Sequence, residues 1–175
     1  MKVALFSGHV GKDSGAISDA KTGSDLYTIE STIVSAITSK ISTLFKLIGV
    51  EYIIGIGPFD KRLKTTELCD VGISLHCDSI ANKNVRGYHV IHYPGSANGE
   101  RLAQFLDCII NDMCHYSRAR SIHAEKFKII RDTKFPCVLL ECGFISNNQD
   151  EELLNTEDYQ WGIAFAVVSA IKMYH

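Results

Sequence analysis

The chain has 175 residues, of which 46% are hydrophobic and 22% charged, with a formal net charge of −2. That length and apolar content suit one globular domain and exclude a disordered chain, and 13 glycines with 3 prolines exclude a collagenous or low-complexity one. The 18 basic and 20 acidic residues leave no basic excess of the kind tight nucleic-acid binders carry, and no apolar run approaches the ~20 residues that span a bilayer.

Residues 3–7 (Val-Ala-Leu-Phe-Ser) are apolar and run into Gly8-His9. The run is too short for a signal peptide, whose apolar region takes roughly 7–15 residues. It reads as a first strand, and synthesis in the cytoplasm is expected. Residues 10–25, rich in Gly, Ser, Asp and Lys, read as a loop. Leu26, Ile29, Ile33, Ile37, Ile41, Leu44, Phe45 and Ile48 then recur at helical spacing. Ser24 or Asp25 is the expected N-cap, and Gly49 the stop. Val50 to Ile56 predicts a second strand, Lys61 to Glu67 a short polar helix, and Val71 to Leu75 a third strand ending at His76. Gly87 to Tyr93 predicts a fourth strand and Ala97 to Met113 a second long helix. Phe127 to Arg131 reads as a short fifth strand, and Cys137 to Cys142 as a sixth, apolar until Glu141. Asn147 and Asp150 are expected to cap a helix near Glu151, and Tyr159 to Met173 closes the chain as a helix.

Continuous apolar strands alternating with helices predict an α/β fold. The expectation is a single domain with a mostly parallel twisted sheet of about six strands, flanked by helices on both faces. Whether the fourth and fifth strands bring an antiparallel pair stays open. The 6 cysteines form no C-x-x-C pair, and most lie in apolar runs such as Cys108-Ile-Ile, so buried free thiols are expected.

In an open parallel sheet, ligands bind beyond the C-terminal strand ends. His9 follows the first strand, His76 the third, and Glu141 ends the sixth, while Glu30 lies near the start of the long helix. Two imidazoles and a carboxylate form a common catalytic zinc set with a position left for water. His9, Glu30 and His76 are therefore candidate metal ligands. Glu141 is then the carboxylate that moves protons, and it would be costly to bury without compensation.

These residues sit in a series of motifs. Phe6-Ser7-Gly8-His9 leads into a loop containing Gly11 and Gly15, and Glu30 to Gly49 forms a helix opening with Glu. Ser74-Leu75-His76-Cys77-Asp78 ends a strand, and Gly87-Tyr88-His89-Val90 starts one. Arg131-Asp132-Thr133, Pro136, an apolar strand, Glu141, Gly143-Phe144-Ile145-Ser146-Asn147 and Asp150 follow. The series resembles the zinc-dependent N-acetylmuramoyl-L-alanine amidases of bacterial cell-wall hydrolases and phage endolysins, in unbroken order over essentially the whole chain.

The resemblance implies one zinc ion per chain held by His9, Glu30 and His76, with Glu141 catalytic. The reaction it implies is hydrolysis of the amide between N-acetylmuramic acid and L-alanine in peptidoglycan. Asp78 stands where the family usually has Asn, which makes the surroundings of His76 more acidic. His89 stands where a Glu or another polar residue is frequent, and a solvent-facing position is the first expectation for it. Asp78, His89 and Arg131 are the candidates for substrate contact. Arg118, Arg120 and Arg131 have the chemistry to hold stem-peptide carboxylates, with surface solvation as the default. The combined expectation is a monomeric catalytic domain over residues 1–175 without a separate wall-binding domain. It would act as a phage endolysin on the wall after release from the cytoplasm, with no nucleic-acid partner and no membrane insertion. The alternatives are a zinc peptidase acting on stem peptides, against which the absence of H-E-x-x-H counts, and a non-catalytic wall-binding protein on the same fold.

Overall fold

The computed structural model describes residues 1–9, 13–19, 27–113 and 121–174. Strands β1 (Lys2–Ser7), β2 (Glu51–Ile54), β3 (Val71–Asp78), β4 (His89–His92), β5 (Ile122–Ala124) and β6 (Cys137–Phe144) form one sheet in the order β2-β1-β3-β6-β4-β5. The helices are α1 (Glu30–Leu47), α2 (Phe59–Thr66), α3 (Ala97–Met113), α4 (Lys128–Asp132), α5 (Asn148–Leu154) and α6 (Glu157–Tyr174). β2, β1, β3 and β6 run parallel, β4 pairs antiparallel with β6, and β5 pairs parallel with β4. The antiparallel step left open by the sequence thus falls between β6 and β4.

Strand alternation divides the core. Val3, Leu5, Ile73, Leu75, Val138 and Leu140 face one side, packed with apolar residues of α1, α3 and α6. Ala4, Phe6, Ile91, Cys137 and Leu139 face the other, covered by Ile129 and Ile130 of α4 with Phe59 and Leu63 of α2 against them. Both faces of the central strands are therefore covered, which is why these strands read as continuous apolar runs.

Three expectations change. The segment expected as a fifth strand, Phe127 to Arg131, is instead helix α4 with Phe127 at its N-cap. The fifth strand lies earlier, at Ile122–Ala124, where it pairs with β4. The long helix begins at Glu30, six and five residues after the expected caps Ser24 and Asp25, which lie outside the described residues. Its N-cap, Ile29, has no side-chain hydrogen bond. Carbonyls of the preceding loop do the capping: Ala16 O accepts from Glu30 N at 2.9 Å and Ser14 O from Ser31 N at 3.1 Å, satisfying amides that a helix start leaves unpaired. Asn147 caps α5 as expected, accepting from Gln149 N and Asp150 N. Asp150 is no cap. It is buried, and its Oδ2 accepts from Gly87 N at 2.6 Å and Phe144 N at 2.9 Å.

Candidate active site

β1 and β3 are neighbours in the sheet, so their C-terminal ends bring His9 and His76 together although 67 residues separate them in sequence. The imidazole centroids are 5.3 Å apart, edge to face. Glu30 is presented by the first turn of α1 and is buried between them. His76 Nδ1 lies 3.1 Å from Glu30 Oε1, and His9 Nε2 lies 3.5 Å from Glu30 Oε2. Backbone amides fix the carboxylate: Ala16 N donates to Oε2 at 2.8 Å and Cys77 N to Oε1 at 3.0 Å. Burial alone would raise the Glu30 pKa, but hydrogen bonds from His76, Ala16 and Cys77 outweigh it and hold the carboxyl below its ordinary value.

Glycine makes the close approach possible. A Cβ on Gly15, whose φ is +67°, would lie 2.5 Å from Glu30 Oε2 and 2.7 Å from the His9 ring, and one on Gly8 would lie 2.6 Å from the His76 ring. His9 itself adopts φ 48°, a left-handed conformation uncommon for a residue with a side chain. Its Nδ1 is held by Asp13 Oδ2 at 2.8 Å, and Asp13 Oδ1 accepts from Gly15 N at 3.1 Å. The His9 hydrogen bond, then that of the Gly15 amide, lowers the Asp13 pKa. Asp13 was not singled out by the sequence reasoning. The available signal was its place four residues after a ligand-competent His, where a carboxylate can orient the ring through its other nitrogen.

Within the described residues, His9, Glu30 and His76 form a group of metal-competent side chains whose donor atoms all lie within 4.8 Å of one another. Tetrahedral zinc with bonds of ~2.0–2.2 Å needs donors about 3.4 Å apart. Each imidazole has a nitrogen near that distance from one Glu30 oxygen, 3.1 Å to Oε1 and 3.5 Å to Oε2, and with one donor from each residue within 4.8 Å of the others the two imidazoles and the carboxylate fit a zinc ion.

Glu141 lies opposite His76 on one side and opposite His89 on the other in the strand registers, so the three side chains form a row on one face of the sheet. Its Oε2 is buried with no hydrogen-bond partner among the described residues. Burial first, then the charges of Asp78 and Glu30, push its carboxyl well above the ordinary range. Two cavities flank this row. One of about 770 Å³ is lined by His9, Asp13, Arg62, Ser74, His76 and Phe127 among others, and one of about 310 Å³ by Asp78, His89, His123, Glu125, Phe127 and Phe144 among others.

His89 is buried rather than solvent-facing, because β4 is an inner strand covered on both sides. Its Nε2 lies 3.6 Å from Asp78 Oδ2, so Asp78 turns toward His89. Arg131 pairs with the adjacent Asp132 at 2.6 Å and lines neither cavity. Arg118 and Arg120 lie outside the described residues. Arg62, His123, Glu125 and Phe127 are lining residues that the sequence reasoning missed, since nothing in their spacing ties them to the strand ends. Of the cysteines, Cys69, Cys77, Cys137 and Cys142 are buried free thiols. Cys108 is free but exposed, because its position on α3 faces away from the sheet, and Cys114 lies outside the described residues. Cys77 points into the core opposite to His76, and burial raises its thiol pKa well above the ordinary value.

The family model for N-acetylmuramoyl-L-alanine amidase matches residues 3–173. The chain belongs to this amidase family. It is 33% identical over 105 residues to the probable cell wall amidase LytH of Staphylococcus aureus, a match covering 60% of this chain and 35% of that protein. The match thus spans about a third of the length of the curated relative. Among solved structures, the catalytic domain of CwlV, an N-acetylmuramoyl-L-alanine amidase from Bacillus (Paenibacillus) polymyxa var. colistinus, is similar at 26% identity and a TM-score of 0.87, with 99% of this chain and 98% of that one covered. The N-acetylmuramoyl-L-alanine amidase AmiC2 of Nostoc punctiforme shares the fold, with a TM-score of 0.88 at 24% identity over 99% of this chain and 96% of that one. The six-stranded sheet flanked by six helices is therefore the architecture of amidase catalytic domains.

Proposed function

We propose that this chain hydrolyses the amide between the lactyl group of N-acetylmuramic acid and the L-alanine of the stem peptide, with one zinc ion held by His9, Glu30 and His76. The observation that carries the reading is the His9–Glu30–His76 cluster beside the row that contains Glu141, in a chain of this family. Zinc, when bound, supplies a Lewis acid that polarises a carbonyl and makes water more acidic. The chain does the rest. Asp13 orients His9, and two backbone amides hold Glu30 with both oxygens turned to the imidazoles. Glu141 takes a proton from the attacking water and returns it to the departing amine. A carboxyl with a raised pKa suits both roles, since it holds a proton more readily near neutral pH than a solvated one.

The test is mass spectrometry of muropeptides digested by purified protein, with and without a chelator. Release of stem peptides with a free L-alanine amine, lost on chelation and restored by zinc, is the expected result. Cleavage between amino acids would establish a peptidase instead, and retention of peptidoglycan without cleavage would establish a wall-binding protein. Within this reading the segment is a catalytic domain and acts as a lysin, reaching the wall after release from the cytoplasm. Expression in bacteria should then lower culture turbidity only when the membrane is permeabilised.

A further inference from the structure

The two cavities that flank the His76–Glu141–His89 row differ in charge. The larger one carries Arg62 and Lys128 against Asp13. The smaller one carries Asp78 and Glu125, and no lysine or arginine is among the described residues that line it. Asp78 Oδ1 accepts from Ser79 N at 2.7 Å, which leaves Oδ2 turned toward His89 and the cavity. Glu125 is an exposed residue of the same lining, and its amide donates to His92 O at 3.0 Å, which ties the end of β5 to β4. The rings of His123 and Phe144 stand 5.4 and 5.7 Å from that of His89. Phe127 lines both cavities, so the two adjoin at this ring. The remaining walls are aliphatic.

A small, apolar-walled cavity with two carboxylates at its rim suits an alkyl chain ending in an ammonium group. The walls take the methylenes, the aromatic faces attract the cation, and the carboxylates pair with it. A volume of about 310 Å³ is at the lower end of ligand pockets, ~300–1,000 Å³, and has room for one long side chain. Resting on the amidase reading above, we infer that this cavity is a specificity subsite for the free ω-amine of a diamino acid in the stem peptide. Asp78 and Glu125 are its charged contacts. Both carboxylates repel a second carboxylate at the chain end, so the subsite favours a lysine-type side chain over one ending in an amino acid group.

The experiment measures kcat and KM on three substrates: N-acetylmuramoyl-L-Ala-D-isoglutamine, its extension by L-Lys, and the same extension with the lysine Nε acetylated. For the wild-type chain, kcat/KM on the free-amine substrate should exceed that on the acetylated one by about three- to tenfold, carried by KM, as expected for a half-exposed ion pair. Glu125→Gln should bring that ratio close to one, and Asp78→Asn should reduce it as well. Equal kcat/KM for the two lysine substrates in the wild-type chain, or a ratio unchanged in Glu125→Gln, overturns the subsite while cleavage of all three substrates upholds the amidase reading. Failure to cleave any of the three, including the one without lysine, overturns the amidase reading itself and the subsite with it.

Discussion

Glu30 and Glu141 are both carboxylates in a mostly apolar setting, and their surroundings separate their chemistry. Glu30 is offered two backbone N–H groups and two imidazoles, and it is held below the ordinary carboxyl range. Glu141 has an unpartnered buried oxygen and two negative neighbours, and it is pushed well above that range. The first is suited to ligate a cation and the second to hold a proton. Glu141→Gln should therefore fold and keep its zinc while the rate falls by about 10²–10⁴, the usual worth of acid–base catalysis. Glu30→Gln should lose zinc and rate together, because an amide is a poorer ligand for a dication. Metal analysis beside muropeptide cleavage on both variants checks the pair, and the opposite pattern would exchange the two roles. The same contrast predicts a pH effect in chelator-treated protein. The folded chain keeps a proton on Glu141 at pH values where the unfolded chain, whose carboxyl titrates near 4.5, has released it. The folded state then binds the extra proton, so this contribution to stability is full below about pH 4.5 and is lost as pH rises through the folded-state value. Glu141→Gln removes the loss. Its Tm should match the wild type near pH 4 and exceed it at pH 8, by roughly 2–4 °C for each ~1 kcal/mol at this chain length. A Tm difference that does not change with pH would contradict the raised Glu141 carboxyl.

The elements that meet at the site are tied by backbone as much as by side chains. The loop before α1 caps that helix with Ser14 O and Ala16 O, pairs Ile17 with Ile29 across an isolated bridge, and is pinned to α5 where Thr28 Oγ1 donates to Glu151 Oε1 at 2.8 Å. Gly15 is the point where this loop passes closest to Glu30 and His9, in a left-handed conformation. Gly15→Ala should cost stability of about 1–2 kcal/mol through its backbone alone, and should weaken zinc binding further as Cβ displaces the carboxylate. Thermal melts of the metal-free variant measure the first effect and zinc titration the second. Gly49→Ala, left-handed but facing open space, should show only the first. Much of this level was legible in the sequence. The parallel strands were visible because burial on both faces makes them unbroken apolar runs, and α3 was visible because its apolar residues repeat at helical spacing over Ala97–Met113. α4 was not. Its five residues bury the adjacent Ile129 and Ile130, and a short apolar run carries no period that separates helix from strand. β5, with three residues and an exposed His123, offered still less. The start of α1 was misplaced because its caps are carbonyls, which leave no trace in residue type. The burial of His89 followed from strand order, which places β4 between β6 and β5 and which local pattern does not encode.

Across the whole molecule, the candidate ligands come from β1's end, α1's start and β3, at positions 9, 30 and 76. In the unfolded chain these groups are far apart, so a metal that needs all three binds the folded state selectively and stabilises it by mass action. Zinc at about one hundred times its dissociation constant is worth ~2.7 kcal/mol, which at this size is roughly 5–10 °C in Tm. The control must leave the metal-free fold alone. His9 is suited to this because it is partly exposed beyond the C-terminal end of β1, with φ 48°. Asn tolerates that left-handed backbone better than Ala does, so His9→Asn should melt close to wild type after chelation. It should then lose most of the zinc-induced rise, since two of the three donors no longer define the site and an amide oxygen binds the dication weakly. His76→Ala should lose the same rise but melt lower without metal, because His76 packs against Gly8 and holds Glu30. Calorimetry of the three proteins with chelator and with zinc measures both quantities. An equal zinc-induced rise in wild type and His9→Asn would place the metal at some other group of side chains and remove the ligand assignment on which the proposed hydrolysis depends.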